Sequence, residues 1–194
     1  MDSIKNSISE QLLRDFEPQE SWLTHDSNIH GVGHLSRVFV LQELICNLLV
    51  EQGVAVNREA TRWAAMTHDV GRIDDGLDLD HGRRSAEWIK NNLHDQMTPE
   101  LLDTVTYIVH WHVPSDEEAP EMTIELQVLK DADGLDRVRL GDLNPSYLRT
   151  KAAMQLIETA RRLDELSLPV NPVKNRYEKF DDVLRAARAL NLIV

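Results

Sequence analysis

Apolar residues along this chain recur at spacings of three and four, and almost nowhere do they alternate with polar ones. In 34–50 the stripe is Leu35, Val38, Leu41, Ile45 and Leu48/Leu49, the period of a helix with a buried face. A second helix is predicted from Asn57, a good N-cap, through Ala60, Ala64 and Thr67 to about His68, stopping near Gly71. A third runs from about Arg83 to Leu93. The next starts at Thr98, with Pro99 at its first helical position, and carries Leu101, Val105 and Ile108. It must end by Val113, because Pro114 disfavours helical geometry in the residue before it. Another spans from about Thr123 to "DADGLD", where Gly134 weakens it. "NPSYLRTKAAMQLIETARRLDEL" opens on a cap plus proline and is strongly helical, "SLPVNPVKN" is an extended connection, and the last helix repeats Tyr177, Phe180, Leu184, Ala187 and Leu190. "DDGLDLDHG" and "SDEEAPE" are polar loops. Strand and hairpin signals are nearly absent. The expected fold is all-α, a single domain of about seven or eight helices.

Composition narrows the function classes. With 194 residues the chain can bury one sizeable core. The formal charge of −12 repels a polyphosphate backbone and argues against long nucleic acid as a partner. It does not exclude a small phosphorylated substrate, since a bound cation can reverse the field inside a pocket. The one cysteine, Cys46, lies in "LICNLLV", so neither a disulfide nor Cys-ligated zinc is available and a buried thiol is expected. No apolar run approaches the roughly 18 residues that span a bilayer, and "MDSIKNSISE" carries no signal-peptide pattern. The expectation is a cytoplasmic protein without a membrane partner, monomeric or homodimeric.

Imidazoles and carboxylates interrupt the apolar stripes. His34 shares a face with Val38, Leu41 and Ile45; His68 continues the Ala60–Ala64 face, with Asp69 beside it; Asp133 follows Leu126 and Leu129. A buried carboxylate must be paired or bound to a cation. His and Asp together suit a divalent transition ion such as Mn²⁺, Fe²⁺, Co²⁺, Ni²⁺ or Zn²⁺.

The segments "HGVGHLSRV", "AAMTHDVGR", "HGRRSAE" and "VLKDADGLDRVR" resemble those of the HD-domain superfamily of metal-dependent phosphohydrolases, whose signature is H…HD…D. The resemblance covers roughly 25–140, which would be the metal-binding core. It leaves 1–24 as an N-terminal helical segment and 141–194 as C-terminal helices packing on that core. It implies an all-α bundle and a metal held by His34, His68, Asp69 and Asp133. In "DAD", Asp131 competes with Asp133, and the flanking residues favour Asp133. Some branches of the superfamily bind a second metal through extra histidines, so one or two ions are expected. His81, His110 and His112 are the candidates. His110 and His112 lie about 200° apart on a regular helix, and His112 continues the Leu101–Val105–Ile108 stripe, so His112 is preferred and His110 is the alternative. His30 either assists the site or caps its helix, while His25 and His94 read as surface residues.

A divalent ion acidifies water and polarises a phosphoryl oxygen, and phosphoryl transfer calls for nearby cations. Asp69, as ligand and water-orienting group, and Arg37, Arg72 and Lys130, as phosphate clamps, are the catalytic candidates. Arg83, Arg84 and Arg137 are further cations, and Asp74 and Asp75 a potential proton relay. The expected activity is hydrolysis of a nucleotide or related small phosphate ester. The alternatives are a di-iron oxygenase of the same superfamily and a non-catalytic nucleotide-binding module. "VPSDEEAP" stands after His112 where the cyclic-di-GMP branch has its glycine-tyrosine-proline motif, which argues against that substrate. No paired Arg-rich segment suggests a guanosine-tetraphosphate hydrolase.

Overall fold

A computed structural model describes residues 8–168 and 179–194. Nine α-helices occur among these residues: α1 (Glu10–Asp15), α2 (Val32–Glu51), α3 (Arg58–Thr67), α4 (His81–Asn92), α5 (Pro99–Trp111), α6 (Ile124–Asp136), α7 (Lys151–Met154), α8 (Ile157–Ser167) and α9 (Phe180–Ala189). No strand occurs among them, and the all-α expectation holds. The caps read from the sequence at Asn57 and Thr98 form as written, and Thr123, where a helix start is expected, is a cap as well. The Asn57 side chain accepts from Ala60 N at 3.1 Å, Thr98 Oγ1 from Leu101 N at 3.3 Å and Thr123 Oγ1 from Leu126 N at 3.3 Å. Each satisfies one amide that the first helical turn leaves unpaired.

α2 is the axis of the bundle and touches α3, α6, α7, α8 and α9. Its stripe is therefore wider than the spacing predicts: Phe39, Val40 and Leu44 are as buried as Val38, Leu41 and Ile45. Among the described residues it is the one helix long and apolar enough to cross a bilayer by length and composition, which counting uninterrupted apolar residues does not reveal. Inside the bundle 89% of that apolar window is buried, as a central core helix requires. Cys46 is buried there and accepts from Gln42 Nε2 at 3.1 Å.

Two expectations are corrected. α6 runs through Gly134 to Asp136, because burial of Leu135 and Asp136 outweighs the roughly 1 kcal/mol that glycine costs a helix. The segment 144–167 is not one helix but a short 3₁₀ turn, Pro145–Tyr147, followed by α7 and α8. The interruption is imposed from outside: the buried Asp131 carboxylate accepts Arg149 N at 2.7 Å and Thr150 N at 2.8 Å. Asp131 is thus a backbone anchor. Among the described residues of the N-terminal segment, 8–24, the regular elements are α1 and a 3₁₀ turn at Glu20–Trp22. The expected position of Tyr177 on the last helix and most of the extended "SLPVNPVKN" connection lie outside the described residues.

The two ends of the described chain meet. Ile8 N donates to Leu192 O at 2.8 Å and Val194 N to Ile8 O at 2.9 Å, while Glu10 is gripped by Arg188 at 2.6 and 2.7 Å and by Arg14 at 3.0 Å. The hydrogen bonds from Arg188, with help from Arg14, hold the Glu10 carboxyl down at about 2. A depressed carboxylate contributes its stabilisation above its unfolded value and loses it as pH falls through the folded one. The Ile8 and Val194 amides are therefore expected to lose protection between about pH 4.5 and 2. Hydrogen exchange corrected for intrinsic rates measures this, and Glu10→Gln removes the acid dependence.

Candidate metal centre

Five helix ends converge at one pole of the bundle. His34 lies in the first turn of α2, His68 caps the C-terminus of α3, His81 opens α4, His112 caps the C-terminus of α5, and Asp133 sits in the last turn of α6. Asp69 directly follows His68. Within each of three groups (His30/His34/Asp69, His34/His68/Asp133 and His68/Asp69/His112) ligand-type atoms lie within 4.8 Å of one another.

The Asp69 carboxylate is the hub. Its Oδ2 lies 3.5 Å from His34 Nε2, 3.8 Å from His68 Nε2 and 2.8 Å from His30 Nδ1. Its Oδ1 faces the other way, 3.0 Å from His81 Nε2 and 3.9 Å from His112 Nε2. Asp133 Oδ1 closes the first side at 3.4 Å from His34 Nε2 and 4.0 Å from His68 Nε2. Ligand atoms held about 2.1 Å from one ion sit roughly 3.0–3.4 Å apart; His81–Asp69 at 3.0 Å and His34–Asp133 at 3.4 Å fall in that range, and the contacts of Asp69 and Asp133 to His68 and His112, at 3.8–4.0 Å, are looser. Asp133 is the ligand candidate that reaches solvent, its side chain being 35% exposed against 3% for Asp69.

Each imidazole is oriented from behind. His68 Nδ1 donates to Ala65 O at 2.9 Å, His81 Nδ1 to Asp78 O, His112 Nδ1 to Val109 O at 2.6 Å and His34 Nδ1 to the Asp136 carboxylate at 2.7 Å. A carbonyl or carboxylate oxygen only accepts here, so the proton sits on Nδ1 and Nε2 is the atom turned inward. Two inward pairs result, His34/His68 at 3.2 Å and His81/His112 at 3.0 Å. Nitrogen lone pairs this close repel unless a metal cation or a shared proton lies between them.

Electrostatics agree. Burial would push the Asp69 carboxyl up, but His68, His30, His34 and His81 hold it well below the usual carboxylate range. Burial, aided by His68 and His81, depresses His112 to about 3, leaving its ring neutral. Burial lowers His68 and His30 as well. At His34 burial and Arg139 act downward, yet the Asp136 and Asp69 carboxylates outweigh them and raise it.

The remaining candidates divide. Arg72 Nε lies 3.2 Å from Asp69 Oδ2, an ion-pair contact without the alignment of a hydrogen bond. Lys130 borders a cavity of about 590 Å³ that opens onto His112 and Asp133. Arg37 is held by a buried partner: its side chain is 3% exposed and donates to both oxygens of Asp136 at 2.6 and 3.1 Å. His110 is not brought to the cluster; its ring rests against Trp111, 4.7 Å between centroids. Arg83 pairs with Asp80 and Glu87 on the surface, Arg84 with Asp78, and Arg137 with Asp142. His25 approaches Asp75 at 3.6 Å, and Asp74 caps its own loop by accepting Gly76 N at 2.8 Å. His94 lies on the surface beside Asp95.

Asp136 is the residue that the sequence reading missed. It is fully buried, orients His34 and neutralises Arg37, and burial notwithstanding, Arg37 and His34 hold its carboxyl far below the usual range.

Gly82 sets the spacing of the second pair. A Cβ there would lie 2.8 Å from Val109 O and 2.9 Å from His110 O, so α4 could not approach α5 as it does. Gly82→Ala is expected to destabilise by about 1–3 kcal/mol and to lower metal stoichiometry before it unfolds the chain. Elemental analysis alongside thermal denaturation measures both.

An all-α bundle whose helix ends gather histidines and aspartates around one carboxylate has side chains able to hold a metal ion. The HD-domain family model matches residues 31–138, more than half of the chain, and the chain belongs to that family. Neither the curated proteins nor the solved structures contain a match to it.

Proposed function

We propose that the protein is a metal-dependent phosphohydrolase acting on a nucleotide or related small phosphate ester. The observation that carries this reading is the division of inward-facing atoms about Asp69. His34, His68 and Asp133 with Asp69 Oδ2 would hold one ion, and His81 and His112 with Asp69 Oδ1 a second. Nitrogen and carboxylate donors in this mixture suit Mn²⁺, Fe²⁺, Co²⁺, Ni²⁺ or Zn²⁺. Such ions supply acidified water and a Lewis acid for the phosphoryl oxygen.

The chain's own residues do the rest. Asp69 is ionised, is fixed by His30 and faces both groups. In the adjoining cavity Lys130 and Arg149 furnish positive charge, and Tyr147, 74% exposed, offers an aromatic face at the wall. A volume of about 590 Å³ suits a ligand of nucleotide size. Hydrolysis joins the oxygen of water to phosphorus and breaks the ester P–O bond, and the leaving oxygen takes a proton from solvent.

The test is elemental analysis of the purified protein followed by a nucleotide panel with Mn²⁺, Co²⁺ and Ni²⁺. Release of phosphate dependent on the added ion is the expected result. Oxygen consumption with bound iron and no phosphate release would instead identify an oxygenase, and tight nucleotide binding without turnover a binding module.

A further inference from the structure

Beyond Asp133 the cavity wall carries a second charged cluster. Asp116, on the loop between α5 and α6, accepts Lys130 Nζ at 2.8 Å and Arg149 Nη2 at 2.7 Å on Oδ1, and Arg149 Nε at 2.8 Å on Oδ2. Two cations from separate segments thus close on one carboxylate. The cations are also fixed without it: Lys130 Nζ donates to Pro114 O at 2.6 Å and Arg149 Nη1 to Tyr147 O at 2.9 Å. Exposure is uneven, at 4% for the Lys130 side chain and 22% for Arg149 against 41% for Asp116. The pair is built into the wall and the carboxylate is the removable part. Lys130 and Arg149, but not Asp116, border the cavity that contains His112 and Asp133. The buried Asp131 carboxylate also lies 3.5 Å from Arg149 Nη1, so with Asp116 in place two carboxylates match the two cations, and displacing Asp116 leaves one positive charge for an incoming anion; charge-assisted contacts of this kind are the strong ones.

We propose that Lys130 and Arg149 form a second anion seat in this cavity, filled by Asp116 in the resting protein. The substrate is then a phosphate ester whose leaving portion carries an anionic group of its own, a phosphate or a carboxylate, which displaces Asp116. The assignment of the cavity to substrate rests on the phosphohydrolase reading; the seat itself does not.

Titration calorimetry on the protein as purified tests the seat, with inorganic phosphate and malonate as probes. Asp116→Asn keeps the side chain's shape and removes its charge. It is expected to bind one probe about tenfold more tightly than the unaltered protein, the scale of one charge-assisted contact. Adding Lys130→Met should abolish the gain. A larger gain for phosphate assigns a second phosphate, and a larger gain for malonate a carboxylate. Equal affinities with and without Asp116→Asn, or a gain that survives Lys130→Met, overturn the proposal. Circular dichroism checks the fold, and Asp116→Ser serves if the Asn variant folds poorly. Because the readout is binding, its failure leaves metal-dependent hydrolysis untouched, and the absence of turnover leaves the seat standing.

Discussion

Asp69→Asn is expected to abolish metal-dependent turnover while the helical bundle persists. Replacing one partner that merely orients a ligand costs about 10–100-fold in affinity or activity. Asp69 does more, because its two oxygens face the His34/His68 and His81/His112 pairs separately. Loss well beyond about 100-fold in activity is therefore expected, together with a drop in bound metal. The amide is nearly isosteric and still accepts from His30, so circular dichroism should stay unchanged. Retained stoichiometry with unimpaired hydrolysis would remove Asp69 from the centre.

Asp136→Ala is expected to give the largest loss of stability of any single change near the site. The carboxylate is buried and pairs with Arg37, itself 3% exposed. Removing one partner of a buried pair costs about 3–5 kcal/mol, because the other charge stays behind in a poor solvent. Asp164, 3.8 Å from Arg37 Nε, recovers part of that and places the loss toward the lower end. For a chain of this size the loss lowers Tm by roughly 6–20 °C, which thermal denaturation reads. The double variant Arg37→Met/Asp136→Leu separates the two roles of the residue. Replacing both charges with apolar groups restores much of the stability, yet His34 Nδ1 still lacks its acceptor. Metal affinity is expected to remain about 10–100-fold weak. Full recovery of both properties would show that Asp136 has no influence on the centre.

Arg37 and Asp136 also show where reading the sequence stops. Arg37 is one turn beyond His34, and a cation beside a metal ligand has the right chemistry for a phosphate clamp. Asp136 extends the Leu126, Leu129, Asp133 stripe by three residues, so periodicity alone could have marked it as buried. What no periodicity carries is that the two inward faces meet, with Arg37 and Asp136 opposed at 2.6 Å. Once they do, the arginine is spent on a buried partner. Asp131 tells the same story: beside Asp133 in sequence it resembles a second ligand, but its carboxylate turns to the Arg149 and Thr150 amides and breaks the helix expected there.

The sequence by itself determined the all-α class, the caps at Asn57 and Thr98, and the inward placement of His34, His68 and Asp133. Those features depend on local hydrogen bonds and on the 3.6-residue period, and both are written into short stretches of chain. Only the tertiary structure decided that burial of α2 extends well beyond its predicted stripe, that Arg37 turns to Asp136, and that Lys130 and Arg149 share Asp116. These depend on which faces of distant helices come within a few ångströms of each other. Such distances are set by packing, for which Gly82 leaves no room to spare, and a linear pattern does not encode them.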